Sequence, residues 1–136
     1  MKGQSAIEYA SILAIMLMAL IPIVYIALST VEDSHRSAQA STAIVAIVDA
    51  TDIILAQGPG SSTTVDIYMP RAVNPDKTGL MNKEIRISVY MSNGDESDFF
   101  ALAKANLTGA LPTSAGRHRL KVEMLHSGAI QVSEPT

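Results

Sequence analysis

The chain has 136 residues, a net charge of −3 and no cysteine, which suits one domain plus a separate apolar segment and excludes disulfides and thiolate metal sites. Its ten basic and thirteen acidic side chains are scattered, without a Lys/Arg run, and this argues against nucleic acid as a partner. The absence of cysteine leaves the redox compartment undecided.

A long uncharged run comes first along the chain. Residues 9–31 carry no charged side chain, and this length is sufficient for a membrane-spanning helix. A secretory signal peptide has a shorter apolar core, of about 7–15 residues, and a positive amino-terminal region, whereas Glu8 precedes this run. A single-span anchor fits the length but leaves Glu8 unexplained. The third interpretation is an assembly helix that is stored in a membrane and later packs among copies of itself.

The first residues resemble the class III leader of archaeal type IV pilins, because the string KGQSAIEY at residues 2–9 precedes an uncharged helix. The resemblance implies that a prepilin peptidase removes residues 1–3 by cutting between Gly3 and Gln4, and that Glu8 is the glutamate of the family motif. It also implies a homopolymeric filament at the cell surface, with adhesion as the usual outcome. An assembly ATPase and a membrane platform protein would be further partners.

Under this interpretation Glu8 has a physical use. A buried carboxylate is costly unless it is paired and hydrogen-bonded. After cleavage the new α-amino group of Gln4, whose ordinary pKa is about 7.7–8.0, would lie one helical turn away or on a neighbouring copy. The helix macrodipole also favours an acid near the amino terminus, typically by ~0.3–1 kcal/mol. The alternative is that Glu8 is a solvated residue at the level of the lipid headgroups.

The helix is predicted to continue past the apolar run. Residues 32–37 are polar but include no Gly or Pro, and Gln57-Gly58-Pro59-Gly60 is a strong stop signal. We therefore expect one helix over residues 4–57, with its hydrophobic assembly or transmembrane part at 4–31. Pro22 should kink it or locally break its hydrogen bonds. Beyond the apolar run, one helical face carries Ile44, Ile47, Val48, Ile54 and Leu55.

Alternation with a period of two predicts a small β domain at residues 58–136. The alternating segments are 65–69, 85–91, 120–124 and 130–132. Residues 99–107 could be strand or helix. Since a sheet with one apolar face needs a cover, the apolar face at residues 44–55 should pack on it. The predicted fold class is α+β, with a long amino-terminal helix packed against a small antiparallel sheet as in type IV pilins.

The sequence indicates no catalytic, cofactor or metal site. His118 and His126 have the same strand parity, but their separation of eight positions exceeds the reach of a shared metal, and His35 stands alone. The acidic segment 95–98 lacks the regular spacing of a calcium loop, so a solvated turn is the simpler interpretation. Ser, His and Asp are present, but nothing places them as a triad. We therefore expect a structural protein and not an enzyme.

The sequence contains one signal for a covalent modification. Asn106-Leu107-Thr108 fits the acceptor pattern for N-glycosylation, which has meaning only on an exported surface.

Two functions fit these features of the sequence. The first is the pilin-type subunit of a surface filament, held in the cytoplasmic membrane as a precursor. The second is a single-span membrane-anchored binding module with an extracytoplasmic β domain. The first predicts an amino terminus at Gln4 and filaments, and the second predicts an uncleaved, monomeric chain.

Overall fold

A single long helix begins the fold. The computed structural model describes residues 2–135, and in it α1 runs without interruption from Lys2 to Gln57. The predicted helix is confirmed and begins two residues earlier than expected; Met1 of the predicted leader lies outside the described residues. At 1.5 Å per residue, the 56 residues of α1 extend over about 84 Å.

Pro22 lies inside this helix, and helical structure continues on both sides of it. Because proline has no N–H, the carbonyl of Met18 loses its usual donor four residues later. Despite this lost hydrogen bond, the helix is not broken at Pro22. The bend expected there stays a prediction.

The helix ends where the sequence predicts. Gly58 adopts a φ of +91°, which glycine reaches without steric cost, and its N–H donates to the carbonyl of Ile54 at 3.0 Å. The chain then reverses, so that Gly60 donates to the carbonyl of Met124 at 3.0 Å. This turn brings the first strand back alongside the helix.

The α+β layout is confirmed, and in detail the strands divide between two sheets. One sheet has the order β1-β6-β7-β5 and the other the order β2-β3-β4. All neighbouring strands are antiparallel except β5 and β7, which pair in parallel. Of residues 99–107, the first part belongs to β4 and the last residue begins β5. The strands are β1 (Ser62–Met69), β2 (Gly79–Met81), β3 (Glu84–Tyr90), β4 (Glu96–Leu102), β5 (Leu107–Gly109), β6 (Gly116–Met124) and β7 (Ile130–Ser133).

Both sheets close around the carboxy-terminal third of α1. The helix packs mainly on β1 of the first sheet and β4 of the second, while β2 and β5 meet on the far side. The helix thus shares one core with both sheets, and we call residues 40–135 the head. The predicted cover is confirmed, although Val48 and Leu55 are only partly buried. The buried helix residues are Ala40, Ala43, Ile44, Ile47, Ala50, Thr51 and Ile54.

Ile47 tests whether helix and sheets form one unit. Its side chain is fully buried, so Ile47→Ala should lower the free energy of unfolding of the head by about 2–5 kcal/mol. Val45→Ala is the matched control, because Val45 is 54% exposed on the same helix and should change stability by less than about 1 kcal/mol. The measurement is denaturant unfolding of the full chain in detergent micelles, followed by circular dichroism. Equal effects from the two variants would contradict a shared core.

Candidate functional site

The amino-terminal half of α1 is an exposed apolar surface. Residues 2–28 are exposed without exception, and an 18-residue window of the helix has a mean hydropathy of 2.6 with none of it buried. By length and composition α1 can cross a membrane. We call residues 4–31 the apolar segment. Its large exposed apolar side chains are Ile7, Tyr9, Ile12, Leu13, Ile15, Met16, Leu17, Met18, Leu20, Ile21, Ile23, Val24, Tyr25, Ile26, Leu28 and Val31.

The apolar side chains surround the helix and do not form a stripe on one face. A helix that is hydrophobic all round is typical of a buried position in a protein core or a membrane. Covering one large aliphatic or aromatic side chain contributes about 1.5–3 kcal/mol, so the whole segment favours burial strongly. A partner on one side would leave the other sides in water. A bilayer or a bundle of helices would cover such a helix on all sides.

The hydroxyl groups in the apolar segment are compatible with such surroundings. Ser11 Oγ donates to the carbonyl of Ile7 at 2.8 Å. Ser29 Oγ and Thr30 Oγ1 both donate to the carbonyl of Ile26 at 2.9 Å. Because these groups have acceptors within the helix, they need no water when the segment is enclosed.

Glu8 is the exception within this surface. It is the one charged side chain of residues 4–31, and it is exposed on the same helical face as Gln4, four residues earlier. Gly3 and Gln4, the predicted cleavage position, lie in the first turn of α1. An α-amino group at Gln4 would lie within one turn of the Glu8 carboxylate. This placement fits the predicted pairing, which stays a prediction.

A polar junction joins α1 to the chain between β3 and β4, close to the point where the apolar segment ends. The Asp33 carboxylate accepts hydrogen bonds from the Ser92 backbone N–H at 2.9 Å and from Ser92 Oγ at 2.7 Å. Arg36 donates through Nη1 to the Tyr90 carbonyl at 2.8 Å and also pairs with Glu32. The hydrogen bond from the Ser92 hydroxyl, which has the larger effect, and the one from its N–H lower the pKa of Asp33 below its ordinary value. The β3–β4 turn is therefore tied directly to the helix.

No pattern in the sequence indicates this junction. Residues 32–37 carried only the signal of a polar helix, and Ser92 lies 59 residues from Asp33 along the chain. No periodic pattern links two such positions, so only the folded chain reveals the contact.

Ser114, His118 and Glu134 form a second polar arrangement. His118 Nδ1 lies 2.5 Å from Glu134 Oε1, and Nε2 lies 3.2 Å from Ser114 Oγ and 2.8 Å from the Ser114 carbonyl oxygen. The order resembles a Ser-His-acid triad, which the sequence did not place. The nearer carbonyl takes an N–H from Nε2, whereas a general base needs a free lone pair on that nitrogen. We interpret the arrangement as a link between the loop before β6 and the chain after β7.

The sequence predicts no metal site. Within residues 2–135 no group of three His, Asp or Glu side chains could hold a metal ion. In the acidic segment, Asp95 accepts a hydrogen bond from Asn93, and Glu96 pairs with Lys77. These carboxylates thus stabilise the loops around β4.

Asn106 lies in the loop between β4 and β5, and its side chain is exposed. Its carbonyl accepts a hydrogen bond from the Ile130 N–H at 2.8 Å, while Thr108 is exposed on β5. The acceptor pattern is therefore on the surface of the head, where glycosylation could reach it. Its modification stays a prediction.

No protein-family model, curated protein or solved structure matches the chain. The resemblance of residues 2–9 to a pilin leader therefore stands on those residues alone.

Asp33 offers a test of the junction. Asp33→Asn should reduce the protection of the Ser92 amide against hydrogen exchange, because the carboxylate that accepts from this residue is lost. Asp49→Asn, at an exposed position farther along α1, is the control and should leave that protection unchanged.

The same junction should respond to acid. Because folding lowers the pKa of Asp33, its contribution is complete above the unfolded-state pKa of about 3.9 and is lost as the pH falls through the lower folded-state value. The protection factor of the Ser92 amide should therefore drop on acidification below about pH 4 in the natural chain. Asp33→Asn should not show this drop. Identical pH profiles for the two proteins would contradict the account of the junction.

Proposed function

We propose that this chain is a structural subunit of a surface filament of the archaeal type IV pilus kind, and that it performs no catalysis. The observation that carries the proposal is the contrast within α1. One part is enclosed by the head, and the other is apolar and exposed around its whole circumference. A bundle of such helices would enclose the apolar segment of every copy, and the heads would form the outer layer.

The apolar segment of the proposed subunit has two successive apolar environments. The apolar segment first spans the cytoplasmic membrane and then moves into the bundle, so its side chains avoid water in both states. Small residues such as Ala10, Ala14 and Ala19 permit close approach of helices where lipid and protein are equally apolar. Assembly then depends on packing and on the few polar contacts available in the bundle.

Glu8 supplies one such contact. A prepilin peptidase would cut between Gly3 and Gln4, and the α-amino group that this exposes would pair with Glu8 of the same or a neighbouring copy. An enclosed amine without a counter-charge is costly, so the pair favours the assembled position over a misplaced one. By resemblance, an assembly ATPase and a membrane platform protein would extract the subunit, and the filament would serve adhesion.

The direct experiment is shear release from native cells, followed by electron microscopy and mass spectrometry of the released protein. The proposal predicts filaments whose subunit begins at Gln4. An intact chain that is recovered only from membranes, as detergent-extracted monomers, would contradict it. That result would favour the membrane-anchored binding module.

Substitution of Glu8 tests the pairing separately. Glu8→Ala and Glu8→Gln should each lower the yield of sheared filaments at least about tenfold, because an unpaired enclosed amine costs more than the ~1.4 kcal/mol that a tenfold change represents. Glu123→Gln, on strand β6 of the head, is the control and should assemble normally. Circular dichroism should show a folded head in all variants. A normal yield from Glu8→Ala would refute the pairing.

A further inference from the structure

A groove lies at the base of the head, where α1 leaves it. The groove has a volume of about 610 Å³ and runs between α1 and the facing ends of β1 and β6. We call it the base groove. It is lined by Leu28, Val31, Glu32, His35 and Arg36 of the helix and by Tyr68 and Arg71 of the facing chain, among others.

The position of the base groove follows from the strand that returns beside the helix. The eight residues of β1 extend over about 27 Å, which matches about eighteen residues of helix. Counted back from the end of α1, this places Met69 near Gln39 and brings Arg71 toward the apolar segment. Both Gln39 and Arg71 line the groove.

The base groove coincides with the expected level of the lipid headgroups. The 23 residues of the run 9–31 extend over about 35 Å, whereas the hydrocarbon core of a bilayer is about 30 Å thick. An upright helix would therefore leave the hydrocarbon near Leu28, at the apolar end of the groove. His35, Arg36 and Arg71 would lie in or just above the headgroup layer.

Arg71 lines the groove without a directly paired carboxylate in the described chain, while the Glu32 carboxylate, which also lines it, is paired with Arg36. Within residues 2–135 the Arg71 side chain makes no hydrogen bond or ion pair, although it is an exposed wall of the groove. Arg36, on the opposite wall, uses its Nη groups, but its buried Nε has no acceptor. Each of the other arginines has a carboxylate partner: Arg36 pairs with Glu32, Arg86 with Glu84, and Arg117 and Arg119 with Asp66.

We propose that the base groove binds the phosphate of an anionic membrane lipid and so seats the head on the membrane before assembly. The proposal rests on the membrane-bound stage of the proposed function and does not require the filament. A guanidinium offers several donors in a plane that matches phosphate oxygens, and cationic side chains at this level attract anionic lipids. Leu28 and Val31 would lie beside the first part of an acyl chain. This apolar end favours a lipid over a free phosphate ion.

The test uses the full chain in nanodiscs of phosphatidylcholine with an increasing fraction of phosphatidylglycerol. The arginine Nε–H resonances of Arg36 and Arg71 should shift as the anionic lipid increases. In Arg71→Ala, the anionic fraction that gives half of the Arg36 shift should rise roughly fivefold, the effect of one cationic side chain at an anionic surface. Arg86→Ala is the matched control, because Arg86 is bound to Glu84 on β3 and should keep the natural midpoint. Backbone amide spectra verify that each variant is folded.

Three results would overturn the proposal. The first is an absence of any shift with phosphatidylglycerol, and the second is an equal midpoint for Arg71→Ala and Arg86→Ala. The third is an equal shift produced by inorganic phosphate in neutral detergent micelles, which would identify a site for free anions. A shift that occurs only after polymerisation belongs to the first case and would assign the groove to another copy. Because nanodiscs hold the monomer, failure here is distinguishable from failure to form filaments.

Discussion

The exposure of the apolar segment on all of its sides is the constraint on which the rest of the structure depends. Water penalises each uncovered large apolar side chain by about 1.5–3 kcal/mol, and the penalty applies around the full circumference of residues 4–31. The strands of the head close around the other part of the same helix and leave this segment uncovered. Any cover for the segment would therefore come from outside the head.

The head holds the carboxy-terminal third of α1 independently of the apolar segment. Ile47 and Ile54 are fully buried between the two sheets, so the carboxy-terminal third of α1 is held by the same core as the strands. Asp33 and Arg36 then bind the β3–β4 turn just before the helix leaves the head. In the proposed function, the apolar segment exchanges lipid for protein while the head keeps one structure. The base groove lies at the boundary between these two parts.

The parts of this fold that the sequence predicts are those with a local or periodic signal. The helix end follows from Gly58, the buried helix face from the spacing of Ile44 and Ile47, and the main strands from their alternation. The division into two sheets was not predictable, because β2 and β5 have three residues each and too few positions to show a period. The parallel pairing of β5 with β7 depends on contacts distant in sequence.

In the candidate functional site, too, the sequence predicts local features but not contacts between distant residues. The length and apolar character of the segment, and the anomaly of Glu8, are visible in the sequence itself. The Asp33–Ser92 junction and the Ser114–His118–Glu134 link were not visible, because each joins residues from separate elements. The proposed partner of Glu8 forms only after cleavage and can belong to another molecule.

In the proposed filament, copies of the apolar segment cover one another. Since the chain has no cysteine, a single one introduced at Ala14 can carry a nitroxide label, with a second variant labelled at exposed Thr64 on β1 as the control. Packed helices lie about 8–10 Å apart, so the account predicts strong dipolar broadening of the electron paramagnetic resonance spectrum at position 14 in sheared material. Position 64 should broaden much less. A spectrum at position 14 as sharp as that of monomers diluted in a membrane would contradict the account.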